Sequence, residues 1–328
     1  MVVPRMVWPP GAPGALYPGA MNAPLTTVGL ALAQPDRTLL LDGGLGTTLE
    51  SRGHDLSSAL WSARLLDDDP SAIRAVHRDF FSAGSDIAIS ASYQVSFTGM
   101  SRAGFDAGHT TRALEHSVAL AIEARDEADA DRDLWVAASV GPYGASLADG
   151  SEYRGDYGLG DHTSTVRWLR EWHRPRLEVL AASGADLLAI ETIPSLAEVE
   201  ALALELAALD SPAWVSVTSA GGALRTGDAL AEAWAVLAET PRIVAVGVNC
   251  LDPAHVSPAL ATASGIRIPL LIYPNSGEHW NAVDRHWHGA SDFAASQVLE
   301  WRDLGARMIG GCCRVGPAEI AAMTAALS

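Results

Sequence analysis

The chain has no lysine. Its 328 residues carry 22 basic side chains, and every one is arginine. Chemistry that needs a lysine amine is therefore excluded, including Schiff-base aldolases, the internal aldimine of pyridoxal-phosphate enzymes and the phosphate-gripping lysine of P-loop nucleotidases. Positive charge is scarce as well: 39 acidic residues leave a net charge of -17, which argues against nucleic acid or an anionic membrane surface as partner. No stretch approaches the ~18 uninterrupted apolar residues of a membrane span. Cysteine is limited to three residues. An odd number, without a convincing signal peptide, argues against a disulfide framework and for reduced thiols in a cytoplasmic, soluble protein.

The hydrophobic content of 48% is ample for a large core. Residues 1–36 read differently, being rich in Pro, Gly and Ala, with Arg5 and Asp36 as their only charged side chains. Pro9, Pro10, Gly11, Pro13 and Gly14 interrupt what a secretory signal would need, so this segment is expected to be a flexible, dispensable leader. Residues 37–328 are expected to form one domain. Short apolar runs at 38–41, 86–90, 135–140, 186–190, 214–218, 243–248, 268–273 and 307–309 predict strands. Helical patterns at 71–83, 110–128, 163–182, 196–209, 230–239 and 292–304 lie between them. Eight β-then-α units without a break in composition predict a single (β/α)8 barrel. A doubly wound sheet is disfavoured because Gly43-Gly44-Leu45-Gly46 lacks the dinucleotide spacing.

In such a barrel, polar residues at the C-terminal strand ends share one face. Those ends read Asp42-Gly43-Gly44, Ser90-Ala91-Ser92-Tyr93, Glu191-Thr192, Asn249-Cys250, Tyr273-Pro274-Asn275-Ser276 and Gly310-Gly311-Cys312-Cys313. Three thiolates arriving from two strand ends would bind a soft tetrahedral metal and leave its fourth position open. Cys250 alone reads equally well as core packing; the adjacent pair after two glycines favours a tight loop that turns both thiols to one side. Asp42 and Glu191 could cap helices, or hold an ammonium group through charge-assisted bonds. Glycines after Asp42 would let backbone N–H groups approach a carboxylate. His279, His286 and His288 show no helical alignment and are expected in a solvated loop near the mouth.

These motifs, together with Ser92-Tyr93-Gln94, Ser139-Val140-Gly141-Pro142-Tyr143-Gly144, Gly150-Ser151-Glu152-Tyr153-Arg154-Gly155-Asp156-Tyr157 and Glu191-Thr192-Ile193-Pro194, resemble the homocysteine S-methyltransferases from about Thr38 to the C-terminus. The resemblance implies a zinc-dependent TIM barrel in which Cys250, Cys312 and Cys313 hold Zn2+, and homocysteine sulfur takes the fourth position. It implies substrate contacts at Asp42, Gly43 and Glu191, with Ser92 and Asn249 as weaker carry-overs. Methyl transfer from a sulfonium would yield methionine. The compact chain, ending one helix after the cysteine pair, looks like members that use S-methylmethionine, with S-adenosylmethionine as a possible poorer donor and no corrinoid. Trp61, Tyr93, Tyr153 and Tyr157 could offer aromatic faces to a sulfonium. Alternative readings are a methyltransferase for another small thiol or selenol such as selenohomocysteine, and a non-catalytic barrel with structural zinc.

Overall fold

A computed structural model describes residues 26–34, 36–56, 64–281 and 286–328. Eight parallel strands form its centre: β1 Leu39–Leu40, β2 Ile87–Ile89, β3 Trp135–Val140, β4 Leu187–Ile193, β5 Ala213–Val217, β6 Ile243–Asn249, β7 Leu270–Tyr273 and β8 Ala306–Ile309. Sequence neighbours from β2 to β8 pair in order, and β8 pairs with β1. A parallel bridge between Leu41 and Ile87, with Asp86 N–H donating to Leu40 O at 2.7 Å and Asp42 N–H to Ile87 O at 3.0 Å, joins β1 to β2. The fold is the expected (β/α)8 barrel.

A period of two sorts each strand's side chains. Leu40, Val136, Ala138, Leu188, Ile190, Val215 and Val246 face outward into the layer between strands and helices. Leu39, Leu41, Trp135, Ala137, Leu187, Ala189, Trp214, Ala245, Leu271 and Met308 fill the barrel. Continuing the inward set by one step toward the C-terminal ends reaches Ser139, Glu191, Ser216 and Tyr273, and by two steps, past Gly247, reaches Asn249. The apolar interior thus gives way to a polar layer at one end. Outer helices are set by local signals: Pro70–Ala83, for example, starts where Asp69 accepts a hydrogen bond from Ala72 N–H and stops at Gly84, whose φ is 113°, as N-cap and left-handed C-terminal glycine rules require.

Two expectations are corrected. The leader does not end at residue 36, because Thr27–Leu32 is an α-helix capped by Thr26. It buries Val28, Ala31 and Leu32 against the barrel's interior cluster, and Thr27 Oγ1 accepts from Trp135 Nε1 at 2.8 Å. The helix plugs the N-terminal end, where the first inward layer would otherwise meet water. Residues 1–25 lie outside the described residues. The histidine segment is likewise no open loop: His279–Asn281 and His286–His288 pair as an antiparallel ribbon, with His279 opposite His288 and Asn281 opposite His286.

Among the described residues no helix is long and apolar enough to cross a membrane. Deleting residues 1–34 is expected to lower the thermal midpoint by about 5 °C or more, since losing the burial of Val28 and Leu32 alone forfeits roughly 3 kcal/mol. An unchanged midpoint would show that the plug contributes nothing.

Candidate functional site

Cys250 follows β6 directly, and its backbone turns left-handed, with φ 54°. A non-glycine residue there stores about 1–3 kcal/mol of strain. The turn is held by Cys250 N–H donating to Tyr273 O at 3.2 Å and by Thr218 Oγ1 donating to Cys250 O at 3.2 Å. Cys312 and Cys313 sit in the loop after β8, where Cys312 N–H donates to Pro274 O at 2.7 Å and Cys313 N–H to Asn275 Oδ1 at 3.1 Å. The loop is tight enough to require its glycines. A β-carbon on Gly311 would stand 2.1 Å from Val315 Cγ1, and one on Gly310 2.5 Å from Leu41 Cβ.

The result is convergence. Cys250 Sγ lies 3.2 Å from Cys312 Sγ and 3.9 Å from Cys313 Sγ, and all three sulfurs fall within 4.8 Å of one another. Zinc–thiolate bonds of ~2.3 Å place tetrahedral sulfurs ~3.8 Å apart, so the donor set fits a soft tetrahedral ion. Among the described residues it is the one such cluster, and it supplies three ligands rather than four. Hydrogen bonds from Cys312 and Cys313 hold the Cys250 thiol well below its ordinary pKa despite burial, and Tyr153, whose hydroxyl lies 3.2 Å from Cys250 Sγ, adds to them. The same sharing pushes Cys312 and Cys313 up.

The sulfurs form one wall of a cavity of about 520 Å³ at the C-terminal mouth. Glu191 and Ser139 line it, and the Ser139 hydroxyl donates to Glu191 Oε1. Burial pushes the Glu191 carboxyl up to about 7, against the hydrogen bond from Ser139. Pairing of β4 with β5 shifts register between Ile190 and Ile193, and Thr192 has φ 62°. Asn249 stabilises that irregularity: its Oδ1 accepts from Thr192 N–H at 2.7 Å and from Ser216 Oγ at 2.9 Å, while its Nδ2 donates to Thr192 Oγ1 at 2.8 Å.

Not every residue singled out in the sequence reaches the cavity. Gly43 lines it, packed so closely that a β-carbon would lie 2.1 Å from Val315 O. Asp42 lies behind the wall, 1% exposed, with Oδ2 accepting from Ile89 N–H at 2.8 Å and Oδ1 without a partner; burial raises its pKa well above the ordinary value. The Gly44 amide, expected to approach a substrate carboxylate, instead donates to Val315 O at 2.9 Å. Ser92 is fully buried and donates to Ser139 O at 2.8 Å. Ser92 and Asn249 therefore brace the site from beneath it.

Of the candidate aromatics, Tyr93 and Tyr153 line the cavity. Tyr157 turns away, its hydroxyl donating to Glu198 Oε2 at 2.8 Å and its ring meeting Tyr143 edge-on. Trp61 lies outside the described residues. Sequence reasoning passed over Glu152, which lines the cavity at 7% exposure. Its signal was the acid inside the quoted Gly150–Tyr157 motif. Tyr273, which opens one of the strand-end motifs, also lines it.

Each of Cys250→Ser, Cys312→Ser and Cys313→Ser is expected to reduce bound zinc at least tenfold by elemental analysis, because two thiolates rarely hold the ion; full occupancy in all three would remove the metal reading. A second test concerns the buried acid. Between about 4.5 and 7 the folded chain keeps a proton on Glu191 that the unfolded chain has released, so its contribution to stability falls as pH rises through that window. The metal-free protein should lose thermal stability between about pH 5 and pH 8, and Glu191→Gln should flatten that loss. An identical slope in the variant would contradict the assignment.

Known proteins resemble this chain over nearly the whole barrel. The family model for homocysteine S-methyltransferase matches residues 39–327. A homocysteine S-methyltransferase of Escherichia coli strain K12 is 45% identical over 305 residues, covering 90% of this chain and 97% of that protein. A selenocysteine Se-methyltransferase of Brassica oleracea var. italica is 41% identical over 305 residues, covering 87% of each. The crystal structure of the E. coli homocysteine methyltransferase in its metallated form superposes with a TM-score of 0.80 at 42% identity, covering 90% of this chain and 98% of that one.

Proposed function

The chain belongs to the homocysteine S-methyltransferase family, and from that premise we propose that it is a zinc enzyme that moves a methyl group from a sulfonium, S-methylmethionine in particular, to homocysteine. Methyl transfer to homocysteine is the activity its relatives support. The observation that carries the finer reading is the meeting of three cysteine sulfurs on one wall of a cavity that also holds a buried acid.

Cys250, Cys312 and Cys313 would hold the ion. Bound there, zinc would keep the homocysteine thiol as a thiolate, which at its free pKa of about 8.5 is mostly protonated. Glu191 would accept the substrate's ammonium group, and Asp42, with one unpartnered oxygen and a carboxyl that burial and the nearby Glu191 charge hold toward its neutral form, would support that end from behind the wall. Gly43 would leave room for the amino-acid backbone. Ser139 fixes the Glu191 carboxylate, while Asn249 and Ser92 fix the strand ends. In the transfer, a lone pair of homocysteine sulfur forms the new S–CH3 bond as the methyl–sulfonium bond breaks. That bonding pair stays on the departing sulfur, which leaves as a neutral thioether. No general acid is needed, so alignment in the cavity does most of the remaining work.

Zinc with three protein ligands is an open site, and structural zinc normally has four; this supports catalysis over a purely structural ion. A selenol acceptor is the second reading, favoured by the relative named for selenocysteine Se-methylation. The acidic chain and its free thiols support small-molecule substrates in a cytoplasmic setting over nucleic acid or an anionic membrane surface.

Glu191→Gln is expected to keep zinc but raise the homocysteine KM about tenfold or more, as a charge-assisted bond of roughly 1.5–3 kcal/mol becomes neutral. Donor KM should change little, and a thiol lacking the amino group should show a smaller defect. Equal losses with both thiols would contradict the ammonium contact. Methionine formation by the wild-type protein from homocysteine, with S-methylmethionine and S-adenosylmethionine compared, tests the donor.

A further inference from the structure

The cavity contains an acid that neither the cysteine cluster nor the homocysteine contacts engage. Glu152 sits in a 3-10 turn, Ser151–Tyr153, beside the residue whose hydroxyl reaches Cys250 Sγ at 3.2 Å. It lines the cavity, is 93% buried by its 7% exposure, and its Oε2 has no hydrogen-bond partner. Nearby cations are engaged elsewhere. Arg154 Nη2 donates to Ser151 Oγ at 2.8 Å, and Arg225 bonds Thr218 Oγ1 at 3.1 and 3.2 Å while its guanidinium lies 5.7 Å from the Tyr153 ring centre.

The turn is held there by sequence. A β-carbon on Gly144 would lie 2.4 Å from Glu152 N, and one on Gly141 2.6 Å from Tyr93 O. Two glycines of the Val140-Gly141-Pro142-Tyr143-Gly144 run therefore let Glu152 and Tyr93 close on the same space. A buried carboxylate oxygen without a partner is costly unless a ligand supplies the opposite charge. Glu191 already has Ser139 and the proposed homocysteine ammonium. A second cation is what Glu152 lacks.

We propose that Glu152 is the counter-charge for the donor's positive sulfur, which it holds together with the faces of Tyr93 and Tyr153. This rests on the sulfonium-donor reading. The carboxylate and two rings would form a cation site in the cavity that the cysteine cluster also lines, where the reacting methyl must lie. Its chemical consequence is specific. The donor's charge disappears as the methyl leaves, so Glu152 favours the bound donor over the transition state, and its loss should appear in donor KM more than in kcat. It also favours cationic donor over neutral product, which helps the thioether depart. Burial, which raises the carboxyl to about 7, is opposed once a cation binds.

The test compares wild type, Glu152→Gln and Glu152→Asp, all zinc-loaded. Methionine formation is measured with S-methylmethionine as the varied substrate, then with homocysteine varied, and inhibition by trimethylsulfonium is measured in each. Glu152→Gln should raise donor KM about 10- to 100-fold, weaken trimethylsulfonium similarly, leave homocysteine KM within about twofold, and leave kcat no lower than that of the wild type. Glu152→Asp should recover part of the donor KM, which a merely structural role would not produce. An unchanged donor KM in Glu152→Gln with a functioning wild type would overturn this proposal alone. So would a raised donor KM with trimethylsulfonium inhibition unaltered, since the carboxylate would then meet the donor's amino group. Wild-type protein that makes no methionine from S-methylmethionine would remove the donor reading, and the proposal with it.

Discussion

Three sulfur atoms gathered within 4.8 Å repel one another once ionised, and the surrounding structure has to hold them together until a cation compensates. The barrel does this by topology. Its sixth and eighth strands flank the seventh, so the loops that follow them end on either side of Tyr273 and Pro274, which receive the Cys250 and Cys312 amides. The left-handed turn at Cys250 and the glycine pair before Cys312 then aim thiols that regular strands would send to opposite faces. Folding thus pre-forms the set of three sulfurs, with the Cys312 thiol donating to Cys250 Sγ.

The same barrel separates two environments along one axis. Leu39, Leu187 and Trp214 fill its lower layers, and Val28, Ala31 and Leu32 seal the bottom. Ser139, Glu191, Ser216, Asn249 and Tyr273 continue the inward pattern at the top, where Ser216 Oγ and Tyr273 Oη lie 2.6 Å apart and Trp214 Nε1 donates to Tyr273 Oη at 3.2 Å. This polar layer is a platform. It satisfies its own hydrogen bonds, fixes the strand ends, and leaves carboxylates with spare acceptor capacity facing the cavity.

Much of this was legible because it is periodic or chemically conspicuous. Eight apolar runs separated by helical patterns announce the barrel, and cysteines closing two of those runs announce the three-sulfur cluster. Glu191 is readable from Leu187 and Ala189 by counting in twos. The helix Thr27–Leu32 was not, because Val28, Ala31 and Leu32 show the right spacing over barely one and a half turns, with small side chains inside a proline-rich stretch. Nor could sequence separate residues that touch the cavity from those that support it. Asn249 and Ser92 stand beside site residues in the chain, but a register shift after Ile190 and a hydrogen bond to Ser139 O draw them into the platform. The Gly44 amide is similarly consumed by a contact nearly the full chain length away, at Val315. Such competition between local motif and distant acceptor is visible only in three dimensions.

The central claim is that the three-sulfur site is completed by the sulfur of homocysteine. X-ray absorption at the zinc edge, recorded before and after adding homocysteine, reads this directly. The first shell should change from three sulfurs and one lighter atom to four sulfurs, all at about 2.3 Å. A shell that keeps three sulfurs at saturating homocysteine, in protein that still forms methionine, would contradict the account.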